Sequence, residues 1–191
     1  MPSRFYDELW QLRDPPEPPA ANKVEFVRGL GAAGTALDFG CGDGQLTREL
    51  PAAEVTAADV SLVALKRARA NVPGVTLVVL DQAAPLPFPD QSFDLVLCAD
   101  TLEYVEDLPR TLSELRRVLA LDGRLALTTP MHGRLTGLDV LAHGFEHRFN
   151  PLGPPTRLFS RASLERVLEL AGLDRVSLAA AGGTLFAIAT R

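Results

Sequence analysis

A chain of 191 residues, 47 % hydrophobic and 23 % charged, is long enough for one domain with a sizeable core. A net charge of -5 supplies no basic field for nucleic acid, and no apolar run reaches membrane-spanning length. Two cysteines make no disulfide framework, and the opening M-P-S-R-F-Y-D-E-L-W carries acids where a signal peptide would be apolar. The expectation is a reduced, cytoplasmic protein without a nucleic-acid or membrane partner.

Ser3 to Arg13 predicts a short helix, with Phe5, Tyr6, Leu9, Trp10 and Leu12 forming a dense apolar side. The following D-P-P-E-P-P-A excludes regular helix or central strand and reads as a stiff linker. Residues 1–21 therefore read as an aromatic segment tethered ahead of a main domain, 22–191. Asn22 is the expected cap of a helix through Leu30, which would bury Val24, Phe26, Val27 and Leu30.

Thr35 to Thr47, T-A-L-D-F-G-C-G-D-G-Q-L-T, comes next. It reads as a strand ending at Asp38, a turn built on Gly40, Gly42 and Gly44, and a helix begun by Leu46 and Leu50. Alternate glycines permit positive φ, and their N–H groups are expected close to a ligand at that helix's N-terminus. Val55 to Asp59 predicts a second strand, and Ser61 caps a helix carrying Leu62, Leu65 and Ala68. Strands then follow at Val75 to Leu80 and Phe93 to Ala99, ending at Asp81 and Asp100. Asp107 and Pro109 open a helix through Leu119, Asp122-Gly123 is the expected turn, and Arg124 to Thr129 is the fifth strand. Ser160 caps a last helix stopped by Gly172, and two strands joined around Gly182-Gly183 predict an antiparallel hairpin. Strands alternating with amphipathic helices mean an α/β domain with a parallel sheet covered on both faces.

Three of these strands end in an acid: Asp38, Asp59 and Asp81. Ligands of open parallel sheets bind beyond the carboxyl ends of the strands, and an acid about twenty residues after the glycine turn suits ribose hydroxyls. A dinucleotide fingerprint would require its third glycine where Gln45 stands. The spacing therefore argues against a nicotinamide dehydrogenase.

In order, L-D-F-G-C-G-D-G-Q-L-T, A-D-V-S at Ala58 to Ser61, the stretch Asp81 to Val96, and E-L-R-R-V-L-A-L-D-G-R-L at Glu114 to Leu125 resemble class I S-adenosylmethionine-dependent methyltransferases. The likeness is to their small-molecule, methyltransferase-11-like type, and it covers roughly residues 24 to 130. It implies a three-layer Rossmann-like sandwich whose seven-stranded, mostly parallel sheet ends in a C-terminal antiparallel hairpin. It also implies S-adenosylmethionine as cofactor. Gly40, Cys41, Gly42 and Gly44 would lie by its methionine part, with Asp38 near the amino group. Asp59 would take the ribose, Val60 or Leu62 the adenine face, and Asp81 and Gln82 the adenine edge. Ala99 and Asp100 would border the reacting methyl, and Tyr6 and Trp10 would fold back as a lid.

Residues 130–159 hold every histidine of the chain and read as an acceptor-side insertion. His132, His143 and His147 are catalytic-base candidates, with metal ligation and surface polarity as open alternatives. Tyr104, Arg134 and Arg148 are substrate-side candidates. No metal site is expected, and Cys41 and Cys98 read as small buried residues or a redox pair. Two functions stand: transfer of a methyl group to a small-molecule acceptor, or a non-catalytic S-adenosylmethionine-binding domain acting in regulation or partner binding. The acceptor atom and the oligomeric state are unassigned.

Overall fold

A computed structural model describes residues 3–13, 18–132 and 157–191. The elements are α1 (Ser3–Leu12), α2 (Ala21–Arg28), β1 (Ala33–Phe39), β2 (Ala52–Asp59), α3 (Leu62–Asn71) and β3 (Thr76–Val79). They continue with β4 (Phe93–Ala99), α4 (Leu108–Val118), β5 (Leu119–Pro130), α5 (Arg161–Leu170), β6 (Asp174–Ala181) and β7 (Thr184–Thr190). One seven-stranded sheet runs β3-β2-β1-β4-β5-β7-β6, with β7 antiparallel to both of its neighbours. Its order reverses between β1 and β4, which opens a crevice at the carboxyl ends of those two strands. This is the α/β, Rossmann-like sandwich expected.

Helices cover the sheet on both faces. Leu37, Val96 and Leu127 pack against Leu112 and Leu115 of α4 and Leu164 and Leu168 of α5. On the other face Ala36, Leu95, Leu97 and Ala126 meet Val27 and Leu30. Strands buried on both faces read as near-continuous apolar runs, as F-D-L-V-L-C-A of β4 does.

Three local expectations are corrected. The helix after the glycine turn is a single 3-10 turn, Thr47–Glu49. The reason is distance: β2 starts level with β1, Ala33 beside Ala52, so the connection must descend a strand length of about 20 Å. An α-helix over the residues between Gly44 and Ala52 would advance only about 10 Å. Asn22 is not a cap either. Helix α2 starts at Ala21, Lys23 and Val24 donate their N–H groups to Ala20 O, and the Asn22 amide donates to Ala181 O at 3.4 Å. Asp122-Gly123 lies within β5, where the register jumps from Phe93↔Leu119 to Leu95↔Arg124 as a bulge.

Of the linker, residues 14–17 lie outside the described residues, as do 133–156 of the expected insertion with His143, His147, Arg134 and Arg148. Among the described residues, no helix is long and apolar enough to cross a membrane.

Candidate functional site

The glycine turn joins β1 to the carboxyl edge of the sheet with φ of +74° at Gly40, +55° at Gly42 and +80° at Gly44. Its N–H groups turn inward. Gly40 and Cys41 donate to Ala58 O at 2.7 and 3.1 Å, Gly42 to Asp59 Oδ2 at 2.9 Å, and Gly44 to Cys41 O at 3.0 Å. The turn is therefore no anion cradle, and the expectation that its N–H groups and a helix N-terminus face the ligand is corrected. What the glycines provide is room for side chains of other elements to pack on the turn. A Cβ on Gly40 would sit 2.3 Å from Thr101 Cγ2, and one on Gly42 would sit 2.8 Å from the Trp10 ring.

Two buried carboxyls flank the turn. Asp38 accepts from Thr47 Oγ1 at 2.6 Å, and burial pushes its pKa up to about 7 against the opposing effect of that bond. Asp59, 7 % exposed, accepts from the Ser61 N–H at 2.8 Å through Oδ1 and from Gly42 through Oδ2. Burial raises its pKa too, with these backbone bonds opposing. Each Asp59 oxygen keeps a second lone pair for a hydroxyl donor. Exposed Asp81 accepts from the Ala83 N–H at 2.9 Å.

Helix α1 lies across this edge and touches it at three places. Trp10 packs on Gly42, with the guanidinium groups of Arg13 and Arg67 4.7 and 5.7 Å from its ring centroid. Asp7 accepts from Ser61 Oγ at 2.6 Å and from the Val63 N–H at 3.1 Å, adding a carboxylate to the N-terminus of α3. Those bonds hold the Asp7 pKa below the usual range. The Tyr6 hydroxyl donates to Tyr104 O at 3.1 Å.

The end of β4 forms the other wall. Asp100 holds a left-handed φ of +48°, uncommon outside glycine. Its N–H donates to Thr128 O at 2.8 Å, Thr128 Oγ1 donates to Oδ1 at 3.0 Å, and Lys23 pairs with Oδ2 from α2. Thr101 Oγ1 donates to Gly40 O at 3.2 Å, tying this wall to the turn. Glu103 is wholly buried; Thr129 Oγ1 donates to its Oε2 at 3.2 Å, and its Oε1 has no hydrogen-bond partner. Burial lifts the Glu103 pKa to about 7. Burial also raises the Tyr6 and Tyr104 hydroxyls.

Residues 37–127, from β1 through the core of β5, match a family described as the methyltransferase domain. That span takes in the glycine turn and the acids Asp38, Asp59, Asp81 and Asp100. Over these residues the chain carries a methyltransferase domain with the class I fold. The methyltransferase domain is 32 % identical over 162 residues to malonyl-[acyl-carrier protein] O-methyltransferase of Geobacter sulfurreducens, covering 80 % of this chain and 60 % of that protein. It is also 36 % identical over 92 residues to the mitochondrial arginine-hydroxylase NDUFAF5 of Rattus norvegicus, covering 46 % of this chain and 26 % of that one. The chain thus spans less than two thirds of these curated relatives. An O-methyltransferase family protein from Burkholderia thailandensis shares the fold at a TM-score of 0.73 and 19 % identity, over 89 % of this chain and 55 % of that one.

The residues predicted from sequence, Tyr6 and Trp10 of α1 with Asp38, Gly40, Cys41, Gly42, Gly44, Asp59 and Asp100 of the domain, fall along one continuous edge. Val60 packs toward the core, whereas Leu62 is 51 % exposed beside Asp59. His132 lies beyond β5, donating its N–H to Phe159 O at 2.8 Å. A cavity of about 390 Å³ between α2 and the hairpin, lined by Phe26, Phe186 and Ile188 among others, holds none of the predicted site residues. Among the described residues, no group of three His, Cys, Asp or Glu is placed to hold a metal. Sequence reasoning missed Asp7, Lys23, Thr47, Thr101 and Glu103. The one-residue spacing of Ser61 and Val63 gives no hint of Asp7, which arrives from a separate helix.

The residues present fit S-adenosylmethionine. The N–H groups of Gly40, Cys41, Gly42 and Gly44 are engaged within the fold, which leaves none of these four for a phosphate. Gln82 Oε1 is buried without a partner and is suited to an amino-group donor.

Proposed function

We propose that the chain is an S-adenosylmethionine-dependent methyltransferase acting on a small-molecule acceptor. The observation that carries this reading is the glycine turn with its N–H groups spent inward, flanked by Asp38 and Asp59 and covered by Trp10. Such a turn suits a nucleoside without phosphates, held by the flanking carboxyls.

In this reading Asp59 takes the ribose hydroxyls with its remaining lone pairs, Asp38 faces the amino group, and Asp81 and Gln82 take the adenine edge. The cofactor, when bound, supplies a methyl on a positively charged sulfur that is already electrophilic. What the protein adds is alignment and dryness. Thr101 fixes the β4 end against Gly40, so Ala99 and Asp100 hold one position at the reacting end. Tyr6, Asp7 and Trp10 close α1 over the edge and exclude water. His132, His143 and His147 stay as candidates for a base wherever the acceptor must lose a proton.

The test is a methyl-transfer assay with radiolabelled S-adenosylmethionine against fractionated metabolite pools. Label should pass to a small molecule with wild-type protein and fail to pass when Gly40 is replaced by valine. Cofactor binding without transfer to any pool would favour the non-catalytic reading.

A further inference from the structure

The buried Glu103 is used by nothing in the fold that needs its charge. It is 0 % exposed, its Oε2 accepts from the Thr129 hydroxyl, and its Oε1 has no hydrogen-bond partner. A neutral glutamine would fill the same space and satisfy Thr129 equally well. Around it stand few compensating groups. The Asp100–Lys23 pair at the end of β4 is neutral as a unit. Cys98 on β4 and Tyr104 on the following 3-10 turn both have their pKa raised, which keeps them uncharged. The Arg157 guanidinium donates to the carbonyls of Val105 and Glu106, and its N–H to Glu103 O at 2.8 Å, so that cation is turned to the backbone. An ionised Glu103 is thus one negative charge in excess behind Ala99 and Asp100.

Resting on the methyltransferase reading, we propose that Glu103 distinguishes the cationic sulfonium cofactor from its neutral thioether product by supplying a charge that only the former complements. S-Adenosylmethionine and S-adenosylhomocysteine share adenine, ribose and amino acid, so Asp38, Asp59 and Asp81 treat them alike. They differ by one methyl and one positive charge, placed by this reading at the end of β4. With Glu103 protonated the β4 wall has no net charge to offer, and the two ligands, which meet Asp38, Asp59 and Asp81 through the groups they share, bind alike. With Glu103 ionised the sulfonium is favoured, and the neutral product leaves more readily after transfer. By linkage, binding the cation draws Glu103 into its ionised form and expels its proton, while binding the product does not. No covalent step is involved; the proton goes to solvent.

The experiment is calorimetric titration of the intact protein with each ligand at pH 7, in two buffers of different ionisation enthalpy. Wild-type protein should release a fraction of a proton more with S-adenosylmethionine than with S-adenosylhomocysteine. The affinity ratio should then shift toward the cofactor by about tenfold between pH 6 and pH 8, the scale of one unit-charge attraction across a protein site. Glu103→Gln should bind both ligands with equal proton counts and a pH-independent ratio. Equal proton release by both ligands in the wild type would overturn the proposal, and that arm needs no variant. So would a pH-dependent ratio that survives in Glu103→Gln. Failure to bind either ligand would instead overturn the methyltransferase reading itself.

Discussion

At the scale of residues, the glycine turn works by what it lacks. Gly40 needs both its left-handed φ and its missing side chain, because Thr101 occupies the place of a Cβ. Gly40→Ala should destabilise the fold by about 2 kcal/mol or more, combining left-handed backbone strain with the clash. Adding Thr101→Gly should recover the clash part and leave the strain. Thermal or urea unfolding of the two variants would show this, and equal stability of both would mean that the Thr101 contact is not the obstacle. The residue types at this turn were legible in the sequence, but their use was not. Alternating glycines suggest N–H donation to a ligand, whereas the pairing of β1 with β2 puts Ala58 O and the Asp59 carboxylate where those N–H groups point.

At the scale of elements, α1 is held to the domain chiefly by polar contacts from a segment beyond a proline-rich linker. Asp7 joins it to the N-terminus of α3, Tyr6 to the end of β4, and Trp10 to the turn. Asp7→Asn should keep the shape and lose the charge at that helix end. Trp10 is the only tryptophan in the chain, so its emission reports α1 alone. The variant should show red-shifted emission and several-fold weaker S-adenosylhomocysteine binding; unchanged emission would mean that other contacts fix α1. Periodicity placed nearly every strand and helix, including β4 to the residue, because alternation of apolar runs and amphipathic stretches is a local property. The missing helix after Gly44 was not local. Leu46 and Leu50 have helical spacing, and only the distance down to Ala52 rules the helix out. Lys23 and Glu103 escaped for a similar reason: their partners Asp100 and Thr129 come from other elements of the sheet.

At the scale of the whole molecule, buried carboxyls set the pH dependence. Asp38 and Glu103 are both pushed up to about 7 by burial, and Asp59 is raised as well. Between pH 4 and pH 7 the native state keeps protons that the unfolded chain has lost, so stability falls as pH rises through that window. Below about pH 4 the sign reverses. There Asp7, Asp94 and Glu114, whose hydrogen bonds hold their pKa values down, lose those bonds on protonation. The protein without cofactor should therefore melt highest near pH 4 and several degrees lower at pH 8. Asp38→Asn combined with Glu103→Gln should flatten the descending limb; a melting temperature that rises from pH 5 to pH 8 would show that these carboxyls are ionised in the native state.

One edge of one sheet, from Trp10 over Gly42 to Asp100, is the seat we propose for a nucleoside that carries a methyl donor. The most direct measurement is a titration of the folded protein with S-adenosylhomocysteine, followed by heat and by Trp10 fluorescence together. Saturable one-site binding in the micromolar range, with a change in Trp10 emission that Gly40→Val abolishes, is the expected result. No binding by either signal at millimolar ligand would contradict the account.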